Sequence, residues 1–304
     1  MRLTARLAAA LALALAAAST STGLPAGEPS YAAEIQKWRA EREAHLKADG
    51  GWLSVAGLFW LKPGPNAFGS DPTNAIVLPA DSAPAHAGIF EFADGKTTLR
   101  VEPGVMITSA GKPVTMLDLK PDTSGAGDEL TLGALSMYVI QRGDRYGIRL
   151  KDVHSARRRE FKGLRWFPIR ESYRVTARFV AYDTPQPIPI PNVLCQVNEL
   201  PSPGYVVFKL GGQQLRLDPV LEAPDDSELF FIFRDETSAK ETYGGGRFLY
   251  SEMPKDGSVV LDFNKAYSPP CAFTPFATCP LPPPQNWLPL RVEAGELAYG
   301  KPSH

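Results

Sequence analysis

From Trp52 to Asp152 the chain alternates short apolar stretches with turn residues: "SVAGLFWLKPG", "NAIVLP", "HAGIFEF", "TTLRVEP", "VMITSAG", "TMLDL", "ELTLGALSMYVIQRG" and "YGIRLKD". Turn signals recurring at roughly eight to twelve residues predict a β-sandwich or barrel. Ahead of them stands one helical pattern, "AAEIQKWRAEREAHLKADGG". Ile35, Trp38 and Leu46 share a face, Glu43 and Lys47 sit four apart, and Asp49-Gly50-Gly51 stops the run. It predicts a helix docked on a β-domain through Trp38.

The second half opens on "YRVTARFVAY". Tyr173, Val175, Ala177, Phe179 and Ala181 alternate with Arg174, Thr176 and Arg178, the pattern of a strand buried on one face. "GYVVFKL", "QLRLDP", "ELFFIFRD", "GRFLYSE", "SVVLDFNK" and "WLPLRVEA" continue as strands. No fixed-period repeat is present. The reading is mostly β: a sandwich, then an antiparallel β-barrel or curled sheet, with one N-terminal helix.

The organisation follows. Residues 1–32 read as a secretory signal peptide, because Arg2 and Arg6 precede "LAAALALALAAAS" and then small and polar residues. That run is too short for a comfortable membrane span. Cleavage near Ala18 and cleavage near Ser30 to Ala33 both fit. Residues 33–50 form the helix, 51–152 the sandwich, 153–168 a basic linker ("HSARRREFKGLRWFP") and 169–304 the antiparallel β-domain. The expected location is periplasmic or secreted, in a bacterial cell plan, with no transmembrane segment after signal cleavage.

Charge then removes some classes of function. Lys plus Arg is 32 against 33 for Asp plus Glu in 304 residues. That balance offers no electrostatic footprint for nucleic acid. There is no G-x-S-x-G elbow, no H-E-x-x-H, no C-x-x-C, no Walker loop and no Rossmann glycine pattern. The four histidines (His45, His86, His154, His304) are scattered, so no metal site is read and no cofactor is expected. "YGGGRFLY" precedes a strand, not a helix, and is not a phosphate loop.

Two family resemblances add to this. "GWLSVAGLFWLKPGPNAFGSDPTNAIVLP", "FFIFRDETSAKETYGGGRFLY" and "LDFNKAYSPPCAFTPFATCPLPPPQNWLPL" resemble the bacterial and archaeal family called domain of unknown function 1684, which brings no assigned activity. "FGSDPTNAIVLPADSAPAHAGIF", "ITSAGKPV" and "LTLGALSMYVI" are similar in order and spacing to a forkhead-associated (FHA) domain, which implies a β-sandwich. That family's phosphate-reading pattern departs here. Gly69 is followed by Ser70 rather than Arg, Ser82 lies four residues before His86, and Ser109-Ala110-Gly111 stands for Asn-Gly. Without the arginine, a phosphate lacks its charged bidentate donor.

Candidate chemistry concentrates in the second half. A hairpin turned symmetrically between Ser251 and Ser258 would place Arg247 opposite Asp262, with Asn264 on the same face. That face either lines a barrel mouth or is solvated. Arg234, Asp235, Glu241 and Tyr243 lie nearby in sequence, and Tyr267 follows. They form either a buried network that fixes register or a pocket for a polar or anionic ligand. The proline-rich stretch 261–284 holds seven of the chain's 29 prolines together with Cys271 and Cys279. In an exported chain a disulfide between them closes a short loop, with Phe273 and Phe276 packed over one end of the β-structure. The rival is a reactive thiol at Cys271. Cys195, in "PNVLCQV", reads as a buried free thiol on a strand. The expected partner is a small polar ligand or a cell-envelope component. The alternative is a hydrolase-type enzyme using Asp235, Glu241, Asp262 or Cys271.

Overall fold

A computed structural model of the chain describes residues 30–300 except 126 and 224. The leader read at the N-terminus therefore lies outside the described residues, apart from its last three positions. Helix α1 spans Tyr31–Lys47, with the Ser30 hydroxyl accepting from the Ala33 N–H as N-cap. Its docking is more polar than the sequence suggests. Ile35 and Leu46 are its buried residues, and Trp38 packs edge-on against Trp166 at 5.7 Å. Arg39 donates to the Phe167 carbonyl at 3.1 Å, Arg42 to the Ser268 carbonyl at 2.9 Å, and the Leu164 N–H donates to Glu43 at 2.7 Å.

The sandwich comprises β1 (Val55–Trp60), β2 (Gly64–Gly69), β3 (Ile76–Val77), β4 (Gly88–Ala93), β5 (Lys96–Val101), β6 (Ile107–Ser109), β7 (Lys112–Val114), β8 (Met116–Leu119), β9 (Glu129–Leu132), β10 (Leu135–Arg142) and β11 (Arg145–Asp152). One sheet runs β1-β11-β10-β9-β6-β7 and the other β3-β2-β4-β5-β8. Phe68, Phe90 and Leu99 of the second sheet meet Leu130, Met137, Val139 and Ile148 of the first in one core. The basic segment that follows holds a short helix, α2 (Ala156–Arg159). Ser155 caps it, and Arg158 reaches the Lys47 carbonyl and Asp49.

The second half comprises β12 (Arg174–Pro191), β13 (Val197–Leu210), β14 (Gln213–Leu217), β15 (Glu228–Phe233), β16 (Arg247–Glu252) and β17 (Ser258–Asp262). It is a curled, open arrangement with no closed barrel: a four-stranded sheet β14-β13-β12-β17 and a separate β15-β16 ribbon. On β12, Val175, Ala177 and Phe179 face the core as the alternation requires. The ribbon is buried on both faces, which explains the unbroken apolar run "LFFIF". Leu229, Phe231 and Phe233 pack on the four-stranded sheet, while Phe230 and Ile232 pack on Ile188, Ile190 and Phe248.

The structure corrects two sequence expectations here. β16 and β17 do not pair as a hairpin. Arg247 lies opposite Phe233, and Asp262 lies opposite Arg174. Pro254 lacks the N–H a ladder needs. Met253 and Pro254 therefore carry the chain from the ribbon to the other sheet, and the tight turn closes Lys255 on Ser258. Cys195 is not a buried strand residue. It sits exposed in the β12–β13 turn with φ of 60°, a conformation found in turns rather than strands.

The proline-rich segment bridges the two halves. Phe273 is buried with Leu46 and Leu53, beneath α1. The Arg142 Nε donates to Thr278 at 2.9 Å, and the Phe276 carbonyl accepts from Arg149 at 3.4 Å.

Candidate functional site: a cleft beneath the N-terminal helix

A cleft of about 720 Å³ separates α1 from the edges of β16 and β17. The helix contributes Tyr31, Trp38 and Arg42, the strands contribute Tyr250, Val260 and Asp262, and the following loop contributes Lys265 and Tyr267. Specific contacts position the polar and aromatic residues at both ends of the cleft. Asp262 ends β17 and caps the short helical turn after it, accepting from the Asn264 N–H at 3.1 Å. The same carboxylate oxygen accepts the Tyr31 hydroxyl at 2.8 Å, and the Asn264 amide donates to that hydroxyl, also at 2.8 Å. Burial and the adjacent Asp262 charge both push the Tyr31 phenol well above its ordinary range.

At the other end, the Arg42 guanidinium lies 4.4 Å over the Tyr267 ring and 3.4 Å from the buried Glu296 carboxylate. Glu296 is fully buried, and burial pushes its carboxyl above the ordinary glutamate range against the lowering effect of Arg42. Tyr250 stacks on Phe230 at 4.7 Å and donates to Glu222 at 2.6 Å. Burial pushes the Tyr267 phenol up to about 12. Both signs of charge surround the opening: Glu34, Glu228 and Glu252 with Arg174, Lys255 and Lys265. Chemically, the cleft offers aromatic surface, neutral phenols and charges of both signs. It suits a ligand with several polar groups better than a lone anion.

Of the eight residues singled out in the sequence, the cleft brings together Asp262 and Tyr267, with Asn264 directly behind. The others lie elsewhere. Arg247 and Asp235 are sealed inside the protein. Arg247 donates to Asp235 and to the carbonyls of Val292 and Ala294, and the Val292 N–H donates to Asp235 at 2.7 Å. Arg234 stacks on Trp287 at 4.7 Å. Glu241 pairs with Arg291 at 2.7 Å. Tyr243 is half-buried beside the two cysteines, where burial and the nearby thiols push its phenol up to about 12. Cys271 and Cys279 are brought together as thiols. Sequence reasoning missed Tyr31, Arg42 and Tyr250, because helix and sheet are about two hundred residues apart along the chain. Among the described residues no three His, Cys, Asp or Glu side chains converge as a metal-holding group.

These features define a class: a β-sandwich joined to an open β-domain, with a polar cleft roofed by an N-terminal helix. Residues 159–297, which make up most of the second half, match the family described as "Protein of unknown function (DUF1684)". No curated protein matches it. Among solved structures it is similar to an uncharacterized protein of Haloarcula marismortui, at 35% identity over 46% of this chain and 78% of that one, with a TM-score of 0.40. It is also similar to the FHA domain of FhaA, solved in complex with the intracellular domain of another protein, at 16% identity over 31% of this chain and 97% of that one. A further FHA domain, from work on phosphothreonine-dependent interactions, matches at 16% identity over 31% of this chain and 92% of that one; both FHA matches have a TM-score of 0.23. The sandwich reading of the first half rests on its two packed sheets rather than on these scores.

Proposed function

We propose that the protein binds a small polar ligand in the cleft between α1 and the β16–β17 edges, and that it does so outside the cytoplasm. The observation that carries the reading is the cleft's lining, in which Tyr31, Tyr250 and Tyr267 present phenols among charges of both signs. The buried Arg247–Asp235 pair supports no pocket, because both side chains are enclosed. The hydrolase alternative loses two of its named carboxylates to other roles, Asp235 to that pair and Glu241 to Arg291. The extracytoplasmic part of the reading is supported by the basic-then-apolar start of the chain. Among the described residues no helix is long and apolar enough to cross a membrane.

The test is a thermal-shift screen of the full chain against monosaccharides, amino acids and short envelope-derived oligosaccharides, followed by calorimetric titration of each hit. Val260 is 46% exposed at the cleft edge. Val260→Trp is expected to keep the fold and abolish binding of every hit. Binding that survives this substitution, or a panel with no hit, would overturn the reading.

A further inference from the structure

Cys271 and Cys279 are joined by two reciprocal backbone contacts. The Cys271 N–H donates to the Cys279 sulfur at 3.1 Å, and the Cys279 N–H donates to the Cys271 sulfur at 3.4 Å. A short helical turn at Pro270–Ala272 orients the first thiol, and prolines flank both cysteines. The chain therefore presents the two sulfurs to each other with little freedom left to lose. Cys279 is 5% exposed and packs with Ile188, Ile190, Phe248 and Ala277, whereas Cys271 is only half-buried.

A second, independent observation concerns charge. Arg149 is 3% exposed, and among the described residues its Nε has no hydrogen-bond partner. Its two terminal nitrogens reach the Tyr138 hydroxyl and the Phe276 carbonyl only at 3.4 Å, and among the described residues no carboxylate pairs with it. Phe276 lies between the two cysteines in the loop. A buried guanidinium without a carboxylate favours an anion beside it, and both cysteine thiols, like the Tyr138 phenol, lie within reach of its charge.

We propose that Cys271 and Cys279 are a reversible dithiol–disulfide pair that reacts by thiol–disulfide exchange, with Cys271 as the attacking sulfur. The hydrogen bond from Cys279 lowers the Cys271 thiol, outweighing burial, and Arg149 acts in the same direction. The same bond and burial raise the Cys279 thiol. The Cys271 thiolate attacks one sulfur of a small disulfide, whose S–S bond breaks and releases one thiolate. Cys279 then gives up its proton and attacks the Cys271 sulfur, which expels the second thiolate. Two protein thiols are oxidised, and the small disulfide is reduced to two thiols. The bond closes the loop that reaches the sandwich through Thr274 and Phe276 and packs Phe273 beneath α1. The oxidised form is therefore expected to melt at a higher temperature.

The experiment uses the full chain in a Cys195→Ser background, reduced, exchanged into oxidised glutathione, quenched with acid, alkylated and weighed. Expected is loss of both thiols with no glutathione retained. With Cys279→Ser added, one glutathione is expected to stay on Cys271. With Cys271→Ser added, the Cys279 thiol is expected to remain free. Peptide mapping of the oxidised wild-type chain gives a check that requires no variant to fold, and a Cys271–Cys279 link is expected there. Two persistently alkylatable thiols in the Cys195→Ser chain, a mixed disulfide that never resolves, first reaction at Cys279, or absence of that link would overturn the proposal.

Discussion

Arg247 donates to Asp235 at 3.1 Å, and neither side chain is exposed to solvent. The pair also gathers the backbone of Val292 and Ala294 onto the β15–β16 ribbon, so it fastens the C-terminal segment across the open side of the second half. Removing one partner leaves a buried charge uncompensated. Arg247→Ala and Asp235→Ala are each expected to cost about 3–5 kcal/mol, measured by urea denaturation. A loss near zero would mean that the pair does not hold this segment.

Tyr31 connects helix and sheet through Asp262 and Asn264. Tyr31→Phe removes the hydroxyl, and a stability loss of about 1 kcal/mol is expected from the same type of measurement. The contact also bears on the leader. Cleavage after Ala33 would remove Tyr31 together with the N-cap Ser30. If the chain is exported, the mature form is expected to begin before Ser30. Intact mass of the exported protein checks this.

Glu296 supplies a pH dependence. Burial holds its proton above the ordinary glutamate range, so the folded chain keeps a proton that the unfolded chain has already lost. Stability from this group is present below the unfolded value and is lost as pH rises through the raised folded one. Glu296→Gln is expected to flatten that part of the profile. Denaturation midpoints from about pH 4 to 8 would show it as a smaller decline than in the wild type.

Phe273 joins the proline-rich loop to Leu46 of α1 and Leu53. Phe273→Ala opens a cavity between them, and a cost of about 3–5 kcal/mol is expected in equilibrium unfolding. Proteolysis within α1 should accelerate in the same variant, because the helix has few other buried apolar contacts.

Gly246 explains the glycine run "GGG" in structural terms. Its φ is 92°, and a Cβ there would meet Pro282 and the Phe233 carbonyl. Gly246→Ala is expected to lower the melting temperature, whereas Gly257→Ala, at a turn with open space around it, should lower it less.

The chain's own pattern settles its local structure. Period-two alternation in "YRVTARFVAY" decides which face of β12 is buried, turn residues mark the sandwich strands, and Asp49-Gly50-Gly51 stops α1. These are short-range consequences of backbone geometry and apolar burial. Strand partnership is a different matter. The sequence suggested Arg247 opposite Asp262, yet Pro254 diverts the chain, so Arg247 is enclosed against the C-terminal segment while Asp262 meets Tyr31. The likeness of Arg247 and Asp262 as polar residues beside apolar runs carries no information about which becomes sealed and which borders a cleft. That is decided by the packing of segments far apart along the chain. The two cysteines show both levels at once. Their spacing in a proline-rich loop made a pair legible from sequence, and only the fold placed the uncompensated Arg149 beside them.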